Sequence, residues 1–180
     1  MSIVVFSSAL AQKARTLLHG GQAGKAHKIY LKLLELHPLS PAYWFQKGYA
    51  EQLLGEAGQA TSSYRRVLHI APKHPEVWNN LAIAYSDLGY TKAAIKAYKK
   101  AISLGIEQND NCKEAVFNLI ATYEQIGCPR DALAILDTFL NSCPDPSQET
   151  LNYKRALLRK CNIRLVPQHI EASFFTVNSP

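Results

Sequence analysis

Apolar residues recur along this chain at the three- and four-residue spacings of amphipathic helices. The clearest segment, residues 78–102, predicts two such helices joined by a turn at Gly89. Glycine readily adopts the positive φ that ends a helix, so this position predicts the helix boundary. In the second helix, small residues alternate with the large Tyr98, as closely packed helices require. The apolar positions of the first helix are Trp78, Leu81, Ala82, Tyr85 and Leu88, and the small positions of the second are Ala94, Ala97 and Ala101.

The same kinds of residue return at intervals of 34 positions along the chain. A fixed period of this length predicts a stack of similar helix pairs, in which each pair packs on its neighbours. The recurring sets are Gly21, Gly55 and Gly89; Ala26, Ala60 and Ala94; Tyr30, Tyr64 and Tyr98; Trp44 and Trp78; Pro38 and Pro72; Pro41 and Pro75; and Leu54 and Leu88.

With these landmarks the chain resembles the tetratricopeptide repeat family over residues 7–146. The resemblance implies an all-α fold, a right-handed α-solenoid of antiparallel helix pairs, in which each repeat consists of a helix A and a helix B. Three positions depart from the family pattern: Leu10 replaces a tryptophan, Glu51 replaces an aromatic residue and Ile106 replaces a proline. The four repeats are residues 7–40, 41–74, 75–108 and, after a four-residue insertion, 113–146.

A repeat array needs a closing element, because its last helix would otherwise expose an apolar face. Residues 147–162 predict this capping helix, with Ser147 as its N-cap and with Leu151, Ala156 and Leu157 or Leu158 facing inward. Its basic residues, Lys154, Arg155, Arg159 and Lys160, are expected to face solvent. We therefore expect a single domain over residues 7–164, followed by a C-terminal tail, residues 165–180. The Phe174-Phe175 pair in that tail belongs either to a frayed extension or to a segment that packs on the solenoid.

The net charge of +6 raises the question of nucleic-acid binding. Nine of the 20 lysines and arginines lie on the B helices of the first three repeats, which in this family form the outer side, and five more lie on the last helix and just after it. Lysines spread over an outer face are more often a solvated surface than a phosphate track, and we see no aromatic residues interleaved for base stacking. We therefore expect no nucleic-acid partner.

Neither catalysis nor a cofactor or metal site is predicted. The chain lacks a Gly-rich phosphate loop, an H-E-x-x-H motif and a G-x-S-x-G motif. Its four cysteines, Cys112, Cys128, Cys143 and Cys161, contain no C-x-x-C pair and indicate reduced thiols. Histidines at helix ends, including His37 and His74, are expected to be solvated. With no run of apolar residues long enough to span a membrane, we expect a cytoplasmic protein without membrane insertion.

The resemblance implies a concave groove lined by the exposed side of the A helices. Gln46, Asn80 and Asn118 form a repeating row of amides there, and a side-chain amide can pair with both the N–H and the C=O of an extended peptide. Asparagine at these positions also has a plain structural interpretation, as a contact between repeats. The predicted peptide-binding residues are Phe45, Gln46, Tyr49, Asn79, Asn80, Ile83, Phe117 and Asn118, and the predicted groove charges are Glu76, Asp87, Glu114 and Glu124.

One subgroup of the family grips a carboxylate tail of chaperones with lysine, asparagine and arginine residues. Both frames in which this chain can be aligned place a glutamate, Glu76 or Glu114, where the clamp needs a lysine. Like charges repel, so binding of a chaperone tail by this mechanism is disfavoured. The clamp positions hold Ala11, Arg15, Gln46, Glu76 and Asn80 in one frame, and Phe45, Tyr49, Asn80, Glu114 and Asn118 in the other.

These observations predict a non-catalytic adaptor or scaffold that binds a peptide or helical segment of a partner protein in the groove. Two alternatives stay open. One is a self-assembling scaffold, a homo-oligomer in which the tail of one copy occupies the groove of the next. The other is the recognition subunit of a larger enzyme complex.

Overall fold

The computed structural model describes residues 3–107, 112–142 and 146–161. Within these ranges the structure contains nine helices, which form successive A and B helices. The predicted all-α fold of consecutive helix pairs is confirmed. The helices are α1 (Ile3–His19), α2 (Ala23–Leu36), α3 (Pro41–Leu53), α4 (Ala57–Ile70), α5 (Pro75–Asp87), α6 (Thr91–Glu107), α7 (Lys113–Gln125), α8 (Pro129–Ser142) and α9 (Gln148–Lys160).

The turns inside the helix pairs form where the glycine period predicted them. Gly89 has a φ of +75°, a left-handed conformation that strains residues with a side chain. Gly21, Gly55 and Gly127 adopt similar positive values. At the start of the next helix A, Pro41 and Pro75 occupy the first turn of α3 and α5, where a missing N–H costs no hydrogen bond.

The chain divides into two compact units, residues 1–122 and residues 123–180. In the first unit each helix from α1 to α6 packs on the next one along the chain. The recurring alanines and tyrosines are buried in this stack, in agreement with the prediction that small and large residues interlock. The buried members are Ala26, Ala60, Ala94, Tyr30, Tyr64 and Tyr98.

Glu51, one of the three departures from the family pattern, is completely buried in the first unit. Its Oε1 accepts a hydrogen bond from the Lys47 ammonium and lies 3.2 Å from His27 Nε2. Its Oε2 accepts a hydrogen bond of 2.5 Å from Ser63 Oγ. The glutamate therefore replaces an aromatic side chain with a polar cluster that joins α2, α3 and α4.

The second unit contains α8 and the predicted capping helix α9, which pack on each other. Ser147 is the N-cap of α9, and its Oγ accepts a hydrogen bond from the Thr150 N–H at 3.3 Å. Leu157 is buried as predicted, but the expectation that Ala156 faces inward is wrong, because Ala156 is exposed. The expectation that Lys154 is only solvated is also wrong, since its Nζ lies 2.7 Å from Asp137 Oδ1.

Three predictions concern residues outside the described ranges. These are residues 109–111 of the four-residue insertion, the Cys143 thiol and the Phe174-Phe175 tail. Of the described cysteines, Cys128 and Cys161 are free thiols. The division of residues 7–164 into one repeat domain, with its stated repeat boundaries, stays a prediction.

Candidate peptide-binding groove

Helix α3 places Phe45, Gln46 and Tyr49 on one side, because residues separated by three or four positions are neighbours on a helix surface. Phe45 and Gln46 are half-buried, whereas Tyr49 is 41% exposed. The Phe45 ring centroid lies 6.0 Å from that of Tyr64 and 6.1 Å from that of His74, on which it stacks. Phe45 is therefore held by its neighbours, and Tyr49 is the more accessible of the two aromatic residues.

Helix α5 provides Asn79, Asn80 and Ile83, and their environments differ. Asn80 and Ile83 are half-buried, but Asn79 is only 5% exposed. Asn79 Oδ1 accepts a hydrogen bond of 3.3 Å from Asn118 Nδ2, which joins α5 to α7. A peptide could contact Asn79 directly only by displacing this packing, so the buried amide acts first as a support for Asn118.

The Asn80 amide has a partner inside the protein as well. Burial raises the pKa of the Tyr64 hydroxyl, and the Glu51 carboxylate raises it further, while a hydrogen bond with Asn80 acts in the opposite direction. The same hydroxyl donates a hydrogen bond of 2.9 Å to Gln52 Oε1. A side-chain amide has two N–H donors and a carbonyl acceptor, so one internal bond leaves Asn80 able to bind a ligand.

Helix α7 contributes Phe117 and Asn118, both half-buried. The Lys113 Nζ lies 5.8 Å from the centroid of the Phe117 ring, within the range of a cation–π interaction. Gln46, Asn80 and Asn118 thus belong to three successive A helices of the first unit, one amide per helix. We use the term A-helix face for the surface of α3, α5 and α7 that contains these amides together with Phe45, Tyr49, Ile83 and Phe117.

Two of the predicted groove carboxylates meet in space. Glu76 and Glu114 are exposed, and with Asn79 they line one cavity of about 230 Å³. The third carboxylate, that of Asp87, is exposed at the C-terminal end of α5. Burial raises the pKa of Tyr98 to about 12, and the charges of Asp87 and Glu114 add to this increase. The carboxylates therefore produce a negative potential around α5 and the start of α7.

Glu124 belongs to the second unit and has a different environment. Its carboxylate accepts hydrogen bonds from the Lys160 ammonium and the Tyr153 hydroxyl. These bonds, the one from Lys160 first, hold the pKa of Glu124 below its usual value of 4.5. Because Lys160 balances its charge, Glu124 adds less negative potential than a free carboxylate would.

Comparison with known proteins identifies the repeats. Residues 41–74 and 75–104 match the family model described as Tetratricopeptide repeat, which covers α3 to α5 and most of α6. The chain contains tetratricopeptide repeats. No curated protein matches its sequence at a significant level.

Several solved tetratricopeptide repeat structures resemble this chain in fold. A putative kinesin light chain from Podosopora anserina with nearly identical TPR-like repeats is 14% identical, with a TM-score of 0.73 and coverage of 90% of each chain. PcrH in complex with the chaperone binding region of PopD is 22% identical, with a TM-score of 0.65 and coverage of 69% of this chain and 96% of that one. The first TPR of Spaghetti (RPAP3), bound to the HSP90 peptide SRMEEVD, is 18% identical, with a TM-score of 0.62 and coverage of 67% and 93%. At these identities the likeness shows a shared fold.

Two further properties concern only the part of the repeat protein that the structure describes. None of its helices there is both long enough and apolar enough to cross a membrane. Its described histidines, cysteines and carboxylates also do not gather in groups of three or more that could hold a metal ion.

The protein has a pocket between α1, α2 and α3, and three of its lining residues, Ala11, Arg15 and Gln46, are positions that the family resemblance assigned to the groove or the clamp. The pocket has a volume of about 360 Å³. Tyr30 also lines it, and its buried hydroxyl has no hydrogen-bond partner among the described residues. His37, expected to be a solvated residue, is half-buried and lies 2.9 Å from Ser7 Oγ. The 34-residue period predicted that Tyr30 is buried, but a period gives no signal for a space beside it.

Proposed function

We propose that this protein is a non-catalytic adaptor that binds a peptide segment of another protein on its A-helix face. The observation that supports the proposal most is the row of amides, Gln46, Asn80 and Asn118, with the apolar side chains of Tyr49 and Ile83 beside it. Amides can bind the main chain of an extended peptide, and the apolar residues can select its side chains.

The similar structures support a peptide as the ligand. One of them contains the HSP90 peptide SRMEEVD and another contains the chaperone binding region of PopD. Tetratricopeptide repeats are generally interaction modules without catalytic activity, in keeping with the proposed role. We propose peptide binding for this chain, but neither of those two partners as its ligand.

The charges of the A-helix face favour a ligand segment that is neutral or basic. Glu76 and Glu114 line one cavity, so their repulsion would act together on a bound carboxylate. An acidic tail gripped by a two-carboxylate clamp is therefore a poor fit. A lysine or arginine of the ligand placed near this cavity would gain attraction from both glutamates.

The test is an affinity pull-down from native lysate that compares the Tyr49→Ala variant with the wild type. Tyr90→Ala is a matched control, because Tyr90 is also exposed (60%) but lies outside the A-helix face. A protein retained by the wild type and by Tyr90→Ala, but lost with Tyr49→Ala, would support binding on the A-helix face. Equal retention by all three proteins would contradict it.

An amide variant extends the test to the main-chain contacts. Asn80→Ala with Asn118→Ala should also lose the partner, once circular dichroism shows that the variant is folded. This check is needed because Asn118 is bonded to Asn79 inside the protein. Recovery of only the protein itself would favour the self-assembling scaffold. That alternative, the enzyme-complex alternative and the cytoplasmic location stay predictions.

A further inference from the structure

A second groove lies between α4 and α6, with α5 as its floor. Its volume is about 640 Å³, and it is open to solvent. We use the term outer groove for the surface whose walls contain Arg65 and His69 on α4 and Lys96 and Lys100 on α6, and whose floor contains Trp78 and Tyr85. The sequence indicated no aromatic residues among the basic ones, but the fold brings both kinds together here.

The outer groove is a different surface from the A-helix face, although α5 contributes to both. Consecutive residues of a helix are rotated by about 100° around its axis. Trp78 and Tyr85 are seven positions apart and therefore project to the same side of α5. Asn80 and Ile83 project to roughly the opposite side, so the two surfaces can be occupied at the same time.

The walls of the outer groove are positively charged, and none of the described residues that line it is acidic. Helix α4 contains no aspartate or glutamate, and the only carboxylate of α6 is its last residue, Glu107. Arg65 lies on one wall, and Lys96 and Lys100, one helical turn apart, lie on the other. Positive charges on opposite walls reinforce each other and attract an anionic ligand that lies between them.

The floor of the outer groove is apolar and aromatic. The indole N–H of Trp78 donates a hydrogen bond of 3.0 Å to the Pro72 carbonyl, which leaves the half-buried ring to present an apolar surface. Leu68 and Tyr85, also half-buried, extend this surface. An apolar floor between cationic walls fits a segment whose apolar face is flanked by carboxylates. A nucleic-acid backbone would satisfy the walls but would leave much of this floor uncovered.

The preceding repeat provides an internal comparison, because its equivalent positions lie 34 residues earlier. There the wall contains a glutamate where the outer groove has a histidine, and the floor contains the buried Glu51 where the outer groove has Tyr85. At the equivalent positions, the preceding repeat therefore does not combine basic walls with an apolar floor. The equivalents of Arg65, His69, Trp78, Tyr85, Lys96 and Lys100 are Leu31, Glu35, Trp44, Glu51, Ser62 and Arg66.

We propose that the outer groove binds an acidic amphipathic segment of a second protein. The leucine or aromatic side chains of this segment contact Trp78 and Tyr85, and the aspartates or glutamates of the segment pair with Arg65 and the α6 lysines. With a peptide on the A-helix face, the protein would hold two partners on opposite sides of α5.

The first step of the test is a selection of phage-displayed random 16-residue peptides on the protein. Binders of the Lys96→Gln, Lys100→Gln variant are removed beforehand, so that the peptides retained depend on the outer groove. We expect enrichment of peptides with several Asp or Glu residues around a leucine or aromatic stripe. Failure to enrich any peptide, or enrichment of peptides without net negative charge, would overturn the proposal.

The second step measures the affinity of an enriched peptide through the fluorescence of Trp78. The chain has two tryptophans, so Trp44→Phe leaves Trp78 as the single reporter inside the groove. In this background, Lys96→Gln with Lys100→Gln should weaken binding about tenfold. Lys28→Gln with Lys32→Gln removes the same charge from an exposed pair on α2 and should change it less than about twofold.

Two controls decide the site and the class of ligand. Tyr49→Ala, on the A-helix face, should leave the affinity of the acidic peptide unchanged. If Tyr49→Ala weakened binding as much as Lys96→Gln with Lys100→Gln does, the peptide would bind on the A-helix face instead. A single-stranded oligonucleotide, dT16, should not displace the peptide. If dT16 binds more tightly than the peptide and loses affinity with the α6 lysine variant, the outer groove is a nucleic-acid surface and the proposal fails.

Discussion

The carboxylate of Glu51 connects side chains from three helices of the first unit. It contacts His27 on α2, Lys47 on α3 and Ser63 on α4, and Lys47 Nζ is itself 2.9 Å from Ser63 Oγ. Because Glu51 is fully buried, these groups must replace the water that an ionised carboxylate would otherwise bind. Loss of the carboxylate would leave the largely buried Lys47 ammonium without its counter-charge.

We expect Glu51→Ala to lower the free energy of unfolding by about 3–5 kcal/mol. Replacing both members of the pair, as Lys47→Met with Glu51→Leu, should recover most of this loss, because no unpaired charge is then buried. The free energy of unfolding of both variants is measured by urea denaturation, with circular dichroism as the signal. Glu35→Ala removes an exposed glutamate from α2 and should change stability by less than about 0.5 kcal/mol. A loss below about 1 kcal/mol for Glu51→Ala would show that the cluster contributes little.

Two glycines provide a matched test of close packing. A Cβ atom on Gly48 would lie 2.8 Å from Cε1 of the buried Tyr64 ring, whereas a Cβ on Gly58 would meet nothing within 4 Å. We expect Gly48→Ala to destabilise the protein by about 1–3 kcal/mol, since neither helix can move freely. Gly58→Ala in α4 should instead stabilise it by up to about 1 kcal/mol, because alanine favours helix. Thermal unfolding that gave both variants the same sign would refute this packing.

At the scale of the element, polar contacts hold α9 within the second unit. Glu124 accepts hydrogen bonds from Lys160 and Tyr153, and Lys154 pairs with Asp137 of α8. Burial, followed by the hydrogen bond to Glu124, raises the pKa of Tyr153, so its hydroxyl stays protonated as a donor. The capping helix is therefore attached by charged and polar groups as well as by the buried Leu157.

These contacts predict a pH dependence for the contribution of Glu124. Its pKa in the folded protein is lower than the ordinary 4.5, so its contribution to stability is complete above pH 4.5 and is lost as the pH falls through the lower value. The melting temperature of the wild type should exceed that of Glu124→Gln near pH 6. The difference should shrink between pH 4.5 and pH 3.

A control corrects for the general effect of acid on the protein. Glu35→Gln removes an exposed carboxylate from α2 and is melted over the same pH range. If the difference between the wild type and Glu124→Gln stayed constant down to pH 3, the pairing of Glu124 with Lys160 would not stabilise the folded state.

The sequence predicted the elements well because their boundaries depend on local chemistry. A glycine that must adopt positive φ and a proline in the first turn act within a few residues, and the 34-residue period repeats them. The contacts of the candidate site depend on which neighbour each side chain meets. Asn79 and Asn80 are adjacent, yet the 100° rotation between them buries one and leaves the other half-exposed. The Lys160–Glu124 pair joins residues 36 positions apart, which no period indicates.

At the scale of the whole molecule, the charge of +6 is unevenly distributed. In the first unit the A-helix face has Glu76 and Glu114 at one cavity, while the outer groove has Lys96 and Lys100 on one wall. The net charge alone suggested a single kind of anionic partner. Because the fold separates the signs, we expect the two faces to select ligands of opposite charge.

Reversal of the acidic charges should weaken binding of the natural partner of the A-helix face. Glu76→Lys with Glu114→Lys replaces attraction for a basic ligand residue with repulsion, and we expect a loss of about tenfold or more. Isothermal titration calorimetry with the partner peptide measures this change in affinity. Lys28→Glu with Lys32→Glu, a charge reversal on α2 away from that face, is the control for long-range effects. Tighter binding by the Glu76, Glu114 variant would refute the charge argument.

The two faces should also differ in their response to salt, and each should bind without the other. Binding in the outer groove depends on exposed charges, so raising the salt concentration from about 50 to 300 mM should weaken it several-fold. On the A-helix face we expect amide hydrogen bonds and apolar contacts to add to the attraction of Glu76 and Glu114, so salt should weaken binding there less. In the presence of a saturating peptide on one face, the affinity of the other should change less than about twofold, because Trp78 and Asn80 lie on opposite sides of α5. Competition between the two peptides would mean that they share one site.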